Sequence, residues 1–339
     1  MEIKAPWLKF YDGIRQKLNY PDMTISDAVF DVAKQYPDKT ALVYMDRKIS
    51  YKELVERVLC VQKGLEDLGI KKNDRIMVCL PNIPQAVFLL YAADRIGAVC
   101  SFVHPLSAKN ELSDYVTQLD AKCVAALDFM YDVFAVMSDS VGERILLLTN
   151  MADELPLYKR ILQKSSDKKK LPVKTKALLW SECMKRRVSA EITQSKGNAE
   201  KTAVVLFSGG TTGTPKGVML SGKSINAMGM QTAQMCGGTI LGKSMLSAMP
   251  IFHGFGLCVC VHTVLMCGGV CILVPRFSAK EYAKLIKKHH PNFIAGVPTL
   301  FEALLKESAM NKGARKSTVS RGLSAIFWEY AASSCIHSS

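Results

Sequence analysis

Apolar and polar positions along this chain follow two alternating periods. Short apolar, β-branched runs at 40–45, 75–80, 99–103, 123–127 and 144–148 read as strands. Between them, residues 26–35, 50–69, 84–96 and 107–118 carry the spacing of one-sided helices. Ser26 is placed to cap the first, which ends before Pro37. Ser50, Tyr51, Lys52 and Glu53 form a capping box opening the second, and Gly69 stands where it should stop. Pro84 opens the third, Gly97 closes it, and Ser107 is placed to cap the fourth. Strands separated by helices of this length pair in parallel through crossovers. The expected fold class is therefore α/β, with layered mixed or parallel sheets and flanking helices.

The same rhythm returns after Lys201. Residues 202–207 read as a strand, as do the ends at 247–250, 270–274 and 293–296, while 279–288 and 298–306 read as helices. Residues 164–176, with Lys168, Lys169 and Lys170 in a row, read as an exposed connection, and 195–201 as a second polar one. Residues 254–274 hold no Asp, Glu, Lys or Arg, long enough to suggest a membrane span. Gly268 and Gly269 divide this stretch, so a buried helix at 255–266 followed by a buried strand fits better. Cys258, Cys260, His262, Cys267 and Cys271 lie in it too, but their spacings do not match zinc sites. They are assigned to the core, and no metal ligands are assigned. His262 is likewise read as a core residue, as are His104 and the exposed-looking His289–His290 pair.

Composition narrows the partners. The 339 residues are 49% hydrophobic, enough for two domains or one large domain with a subdomain. A formal net charge of +14 suits nucleic acid, an anionic membrane surface or a phosphorylated small molecule. With no zinc-finger, leucine-zipper or RNA-binding aromatic signature, nucleic acid is not expected. Peripheral membrane contact stays compatible with the charge, and oligomeric state is not legible. Charged residues interrupt the first twenty positions, so no secretory signal is read, and a cytoplasmic chain with reduced cysteines is expected.

The densest chemistry lies at 208–217. Gly209, Gly210 and Gly213 permit close backbone approach to a ligand. Ser208, Thr211, Thr212 and Thr214 supply hydroxyls, and Lys216 a positive charge. Amides, hydroxyls and one lysine suit a polyphosphate. The Walker loop needs Gly-Lys-Ser/Thr running into a helix. Here Pro215 biases Thr214 away from helix, and Lys216 and Gly217 precede the strand-like Val218, Met219 and Leu220. The expectation is strand–loop–strand.

Residues 205–216 resemble, at every position, the AMP-binding signature of the adenylate-forming superfamily. Residues 49–54, 80–84, 250–256 and 297–300 resemble further acyl-CoA synthetase segments in the expected order. The resemblance covers roughly 26–306. It implies a two-step reaction in which a carboxylate attacks the α-phosphate of Mg-ATP, giving acyl-adenylate and pyrophosphate. A thiol, usually that of coenzyme A, then displaces AMP. By the same resemblance Ser208, Thr211, Thr212 and Lys216 contact phosphate, Thr211 and Lys216 are the catalytic positions, and the whole 208–216 loop binds nucleotide. His253 and Gly254 are implied at the entrance of the acyl pocket.

The acid is expected to lack an ammonium group. Residues 201–280 contain no Asp or Glu, only Lys201, Lys216, Lys223, Lys243, Arg276 and Lys280 among charged residues. A buried ammonium would need a carboxylate there. A fatty acid is the first expectation, with Met228, Met230, Met235, Met245 and Met249 either lining an alkyl site or packing in the core. Alternatives are an aryl-acid or fatty acyl-AMP ligase, or a non-catalytic nucleotide-binding remnant.

The pattern departs from the family near the end. Residues 1–321 resemble a partial AMP-binding N-terminal domain. Residues 323–327 could begin a further strand, but 322–339 form an atypical tail. The later family motifs, including a Mg²⁺-holding glutamate, a ribose-binding aspartate and a C-terminal domain bearing a catalytic lysine, are not found. A truncated or frame-shifted product, poorly soluble and inactive alone, is the resulting expectation.

Overall fold

The computed structural model describes residues 14–15, 17–140, 144–156, 177–186, 195–208, 215–307 and 324–327. The connection expected at 164–176 and the atypical residues 328–339 lie outside them. The order is α1 (Ile25–Gln35), β1 (Thr40–Tyr44), β2 (Arg47–Ser50), α2 (Tyr51–Asp67), β3 (Arg75–Cys79), α3 (Pro84–Ile96) and β4 (Val99–Phe102). Then come α4 (Lys109–Gln118), β5 (Cys123–Leu127), α5 (Tyr131–Ser140), β6 (Ile145–Thr149), β7 (Ala177–Leu179), α6 (Trp180–Cys183), β8 (Thr202–Ser208) and β9 (Lys216–Ser221). The remainder is α7 (Gly222–Met235), β10 (Ser244–Ser247), a π-helical segment Phe255–His262, α8 (Thr263–Met266), β11 (Val270–Leu273), α9 (Ala279–His289), β12 (Phe293–Gly296), α10 (Pro298–Lys306) and β13 (Ser324–Phe327).

Among the described residues these strands form two sheets. One runs β7-β6-β5-β3-β4-β8-β9 and the other β13-β12-β10-β11-β1-β2. Each is parallel except for one antiparallel edge strand, β9 in the first and β2 in the second. The α/β reading holds, with helices between and around mixed sheets. Helix α3 is buried along its whole length, touches β3 and β4, and through Tyr91 meets His262 of the π-helical segment. That segment in turn packs on β10. The two apolar helices thus fill the space between the sheets, which explains why neither shows a polar face.

Local signals were largely obeyed. Ser50 Oγ accepts the Glu53 N–H at 3.1 Å, and Gly97 closes α3 at φ +79°, where a side chain would be strained. Four readings need correction. Thr24, not Ser26, caps α1, because Ser26 is buried and its Oγ donates to Asp94 at 2.5 Å. Helix α4 begins at Lys109 behind Ala108, because the Ser107 N–H turns back to His104 O. Strand β10 ends at Ser247, since the chain beyond leaves the sheet to meet Asn82. Helix α7 was not foreseen, as Gly222 and Gly229 weaken its signal. Gly229 is there for packing: a Cβ would lie 2.3 Å from Met266 Sδ.

The 254–274 stretch is the expected buried helix followed by a buried strand. Its helical part is wider than expected, with the Thr263 N–H reaching Cys258 O five residues back. Among the described residues, no helix is long and apolar enough to cross a membrane.

Candidate functional site

The glycine-rich stretch joins two antiparallel strands. Ser208 pairs with Lys216, Phe207 with Gly217 and Leu206 with Val218. Lys216 opens strand β9 rather than a helix, so the strand–loop–strand expectation holds and the Walker arrangement is excluded. Ser208 and Lys216 are both exposed at the root of this hairpin. Gly209, Gly210, Thr211, Thr212, Gly213 and Thr214 lie outside the described residues. Strand β8 runs parallel to β4, so the hairpin springs from the C-terminal ends of parallel strands. That is where ligands bind in open α/β sheets.

The other sheet delivers a second segment to the same place. Beyond β10, Asn82 secures the chain with three hydrogen bonds. Its Nδ2 donates to Ser247 O at 3.0 Å and Met249 O at 2.8 Å, and its Oδ1 accepts the Ile251 N–H at 2.8 Å. Asn82 follows β3 in the seven-stranded sheet, so one side chain joins the ends of both sheets. The sequence placed Asn82 in a family segment without giving it a task.

His253 follows directly. It is exposed, its N–H donates to Pro250 O at 3.0 Å, and its Nδ1 accepts the Phe255 N–H at 3.2 Å. Gly254 lies against β8: a Cβ there would be 3.7 Å from Leu206 Cδ1. Gly256 is sterically required, since a Cβ would stand 2.0 Å from Pro250 O. The structure therefore brings His253 and Gly254 beside the strand that leads into the glycine-rich loop.

Aromatic rings line the junction. Phe207 packs on Tyr115 with ring centroids 4.3 Å apart. Phe252 meets the edge of His104 at 4.5 Å. The reading of His104 as a core residue is corrected, because it is exposed. The His289–His290 pair is exposed-looking as expected but not core: His289 is half-buried and His290 exposed at the C-terminus of α9. Both exposures follow from position, one past a strand end and one past a helix end.

His262 is the histidine that does belong to the core. It is fully buried, with Nδ1 3.2 Å from the Tyr91 hydroxyl and Nε2 2.8 Å from Asn226 Oδ1. Burial lowers its pKa to about 3, so the ring is neutral at ordinary pH. Burial also pushes the thiols of Cys258 and Cys271 up to about 12, which keeps them protonated and unreactive. The five methionines do not form one lining. Met245 is in the strand core, Met230 and Met249 are half-buried, and Met228 and Met235 are exposed.

The donors that β8, β9 and residues 252–254 supply are hydroxyl, lysine and imidazole, without a carboxylate. That set suits phosphate oxygens. It does not fit a protein-held Mg²⁺, which takes oxygen ligands, usually including carboxylate. An open cavity of about 640 Å³ elsewhere is lined by Asp22, Asp27 and Asp31, of the wrong sign for a polyphosphate.

Two mixed sheets, with a lysine-bearing hairpin at the C-terminal ends of parallel strands, define an α/β protein whose hairpin carries donors suited to phosphate oxygens. The chain belongs to the AMP-binding enzyme family, whose model matches residues 29–334. Homologues in that family are named acyl-CoA ligases. The long-chain-fatty-acid–CoA ligase of Bacillus subtilis is 31% identical over 317 residues, covering 90% of this chain and 56% of that protein. The enzyme of that name from Haemophilus influenzae is 28% identical, covering 82% of this chain and 51% of that protein. Among solved structures, a long-chain-fatty-acid–CoA ligase from Archaeoglobus fulgidus has a TM-score of 0.70 at 24% identity, covering 85% of this chain and 54% of that one. ATP-bound MatB from Rhodopseudomonas palustris gives 0.72 at 22%, covering 91% and 55%. The chain spans about half the length of the curated relatives it matches.

Proposed function

We propose that this chain carries the phosphate-binding and acid-facing half of an ATP-dependent acyl-activating site. The reaction is attack of a carboxylate on the α-phosphate of ATP, releasing pyrophosphate and forming an acyl-adenylate. Thioester formation with coenzyme A follows in the complete reaction. The acid is a fatty acid, in keeping with the names of the relatives and with the absence of any Asp or Glu from residues 201–280.

One observation carries this reading. The hairpin rooted at Ser208 and Lys216 and the segment bearing His253 emerge from different sheets, yet Gly254 lies against Leu206 of the hairpin's first strand. A phosphate grip and an acid-facing group beside each other are what adenylation needs. A carboxylate is a poor acylating agent until one of its oxygens becomes part of a good leaving group. The protein's task is to align it with the α-phosphate and offset charge on the triphosphate.

Lys216 offsets that charge, while Ser208, Gly209, Gly210, Thr211, Thr212, Gly213 and Thr214 supply hydroxyl and amide donors. His253 and Gly254 face the acid. Mg²⁺ enters bound to the phosphates of ATP, as part of the substrate. Pyrophosphate exchange into ATP, run with a panel of fatty and aryl acids, tests the proposal. Exchange that depends on a fatty acid supports it. ATP binding by calorimetry without exchange for any acid would leave nucleotide binding alone. Exchange followed by transfer to a phosphopantetheinyl carrier but not to coenzyme A would identify a fatty acyl-AMP ligase instead.

A further inference from the structure

Three observations converge on His104, which the reaction as proposed does not use. The first is register. Strands β4 and β8 are parallel, with Phe102 opposite Leu206. Strand β4 ends at Phe102, two residues before His104, and β8 ends at Ser208, so both residues leave the sheet at the same end of neighbouring strands. Adjacent strands lie about 4.8 Å apart. The second is contact. The His104 ring meets Phe252 edge-on, with centroids 4.5 Å apart and planes at 68°. Phe252 precedes His253, so His104 stands beside the segment that carries His253.

The third is orientation. His104 Nδ1 accepts the Leu106 N–H at 2.9 Å. His253 is held in the same way, its Nδ1 accepting the N–H two residues ahead. A neutral imidazole with Nδ1 as acceptor carries its proton on Nε2. The exposed His104 ring is thus set to act as an N–H donor through Nε2. A turn-forming role alone would need only the Nδ1 acceptor, which an asparagine Oδ1 supplies equally well. The ring's exposure and its packing on Phe252 go beyond that role.

The geometry points to His104 as an additional anion-binding residue whose Nε2–H donates to a phosphate oxygen of the nucleotide. The bond falls between the root of the hairpin at Ser208 and Lys216 and the segment that carries His253. This inference rests on the proposed phosphate role of the loop.

The test is calorimetric titration of the full chain with ATP and, separately, inorganic tripolyphosphate. His104→Asn keeps a turn acceptor near the Nδ1 position but removes the Nε2 donor. It should weaken both ligands about tenfold, as expected for a hydrogen bond to a charged group, without lowering the melting temperature. His104→Gln restores an N–H at the longer reach and should recover most of the affinity. If His104→Asn proves unstable, recovery in His104→Gln still supports the inference, and loss in both overturns it. Unchanged binding in His104→Asn, with weakened binding in Lys216→Ala, overturns the role of His104 and leaves the phosphate loop standing. A wild-type chain that binds neither ligand overturns the phosphate reading itself and this inference with it.

Discussion

Asn82 Oδ1 accepts the Ile251 N–H at 2.8 Å across the boundary between the two sheets. The same amide donates to Ser247 O and Met249 O, so three main-chain groups of one segment converge on one side chain. Asn82 is 3% exposed, and water cannot readily replace it. The position of Phe252, His253 and Gly254 against β8 depends on this clasp.

Asn82→Ala leaves a buried N–H and two carbonyls without their partner. It should destabilise the fold by about 2–4 kcal/mol, read from urea denaturation. Asn82→Asp keeps the acceptor for Ile251 but sets a carboxylate oxygen against two carbonyls, and should be no more stable than the alanine variant. Stability within 0.5 kcal/mol of wild type, roughly the range of a surface substitution, would show that the clasp is dispensable.

Gly256→Ala tests the next link. The new Cβ would fall 2.0 Å from Pro250 O and 2.5 Å from Met249 O, and both are backbone atoms that cannot simply rotate away. The segment carrying His253 must shift. The expected outcome is a loss of about 3 kcal/mol or more, together with weaker acid-dependent exchange. Thermal denaturation and pyrophosphate exchange measure the two effects.

Lys216 is exposed at the start of β9 and carries little of the fold. Lys216→Ala should leave the melting temperature near that of wild type while weakening ATP binding about 10-fold to 100-fold. A comparable loss of stability would show that the lysine serves the hairpin instead.

Two buried groups set opposing acid responses. Asp94 is wholly buried and accepts from the Ser26 N–H and Oγ, with Asp27 and Arg95 nearby. Burial raises its pKa to about 6. Its native form therefore binds a proton more readily than the unfolded chain does. The associated stability is fully present below the ordinary carboxylate range and lost as pH rises through about 6, on the order of 3 kcal/mol. His262 works the other way. Its pKa falls to about 3, so its contribution is present above the ordinary imidazole range and lost as pH falls toward 3. Asp94→Asn should remove the first response and leave a steeper loss of stability between pH 6 and 4. Denaturant midpoints across that interval check it, and an unchanged slope would contradict the assignment.

Among the described residues strand β9 is a sheet edge, with Met219 73% exposed and Val218 46% exposed. Unpaired, apolar edges template self-association. Met219→Lys should lower light scattering at high protein concentration without changing the melting temperature.

Much of this was legible from local signals. Pro84 and Gly97 bound α3 because one residue suits a helix start and the other tolerates a positive φ. Pro215 and Gly217 fixed the hairpin in place of a Walker loop, because the local backbone could not enter a helix there. Helix α7 stayed hidden, since Gly222 and Gly229 are present for contacts with distant residues. His104 looked like a structural histidine because nothing beside it in sequence reveals its neighbour Phe252, 148 positions away.

The sequence by itself determined the α/β class, the buried character of residues 254–274 and the strand–loop–strand form of the glycine-rich stretch. Each of these follows from periodicity, local backbone preference or residue type over a short window. Tertiary structure alone decided that Asn82 clasps Ile251, that Gly254 rests on Leu206, and that His104 packs on Phe252. Those relations depend on parallel strands brought together through long crossovers, and sequence separation carries no record of which strand ends become neighbours.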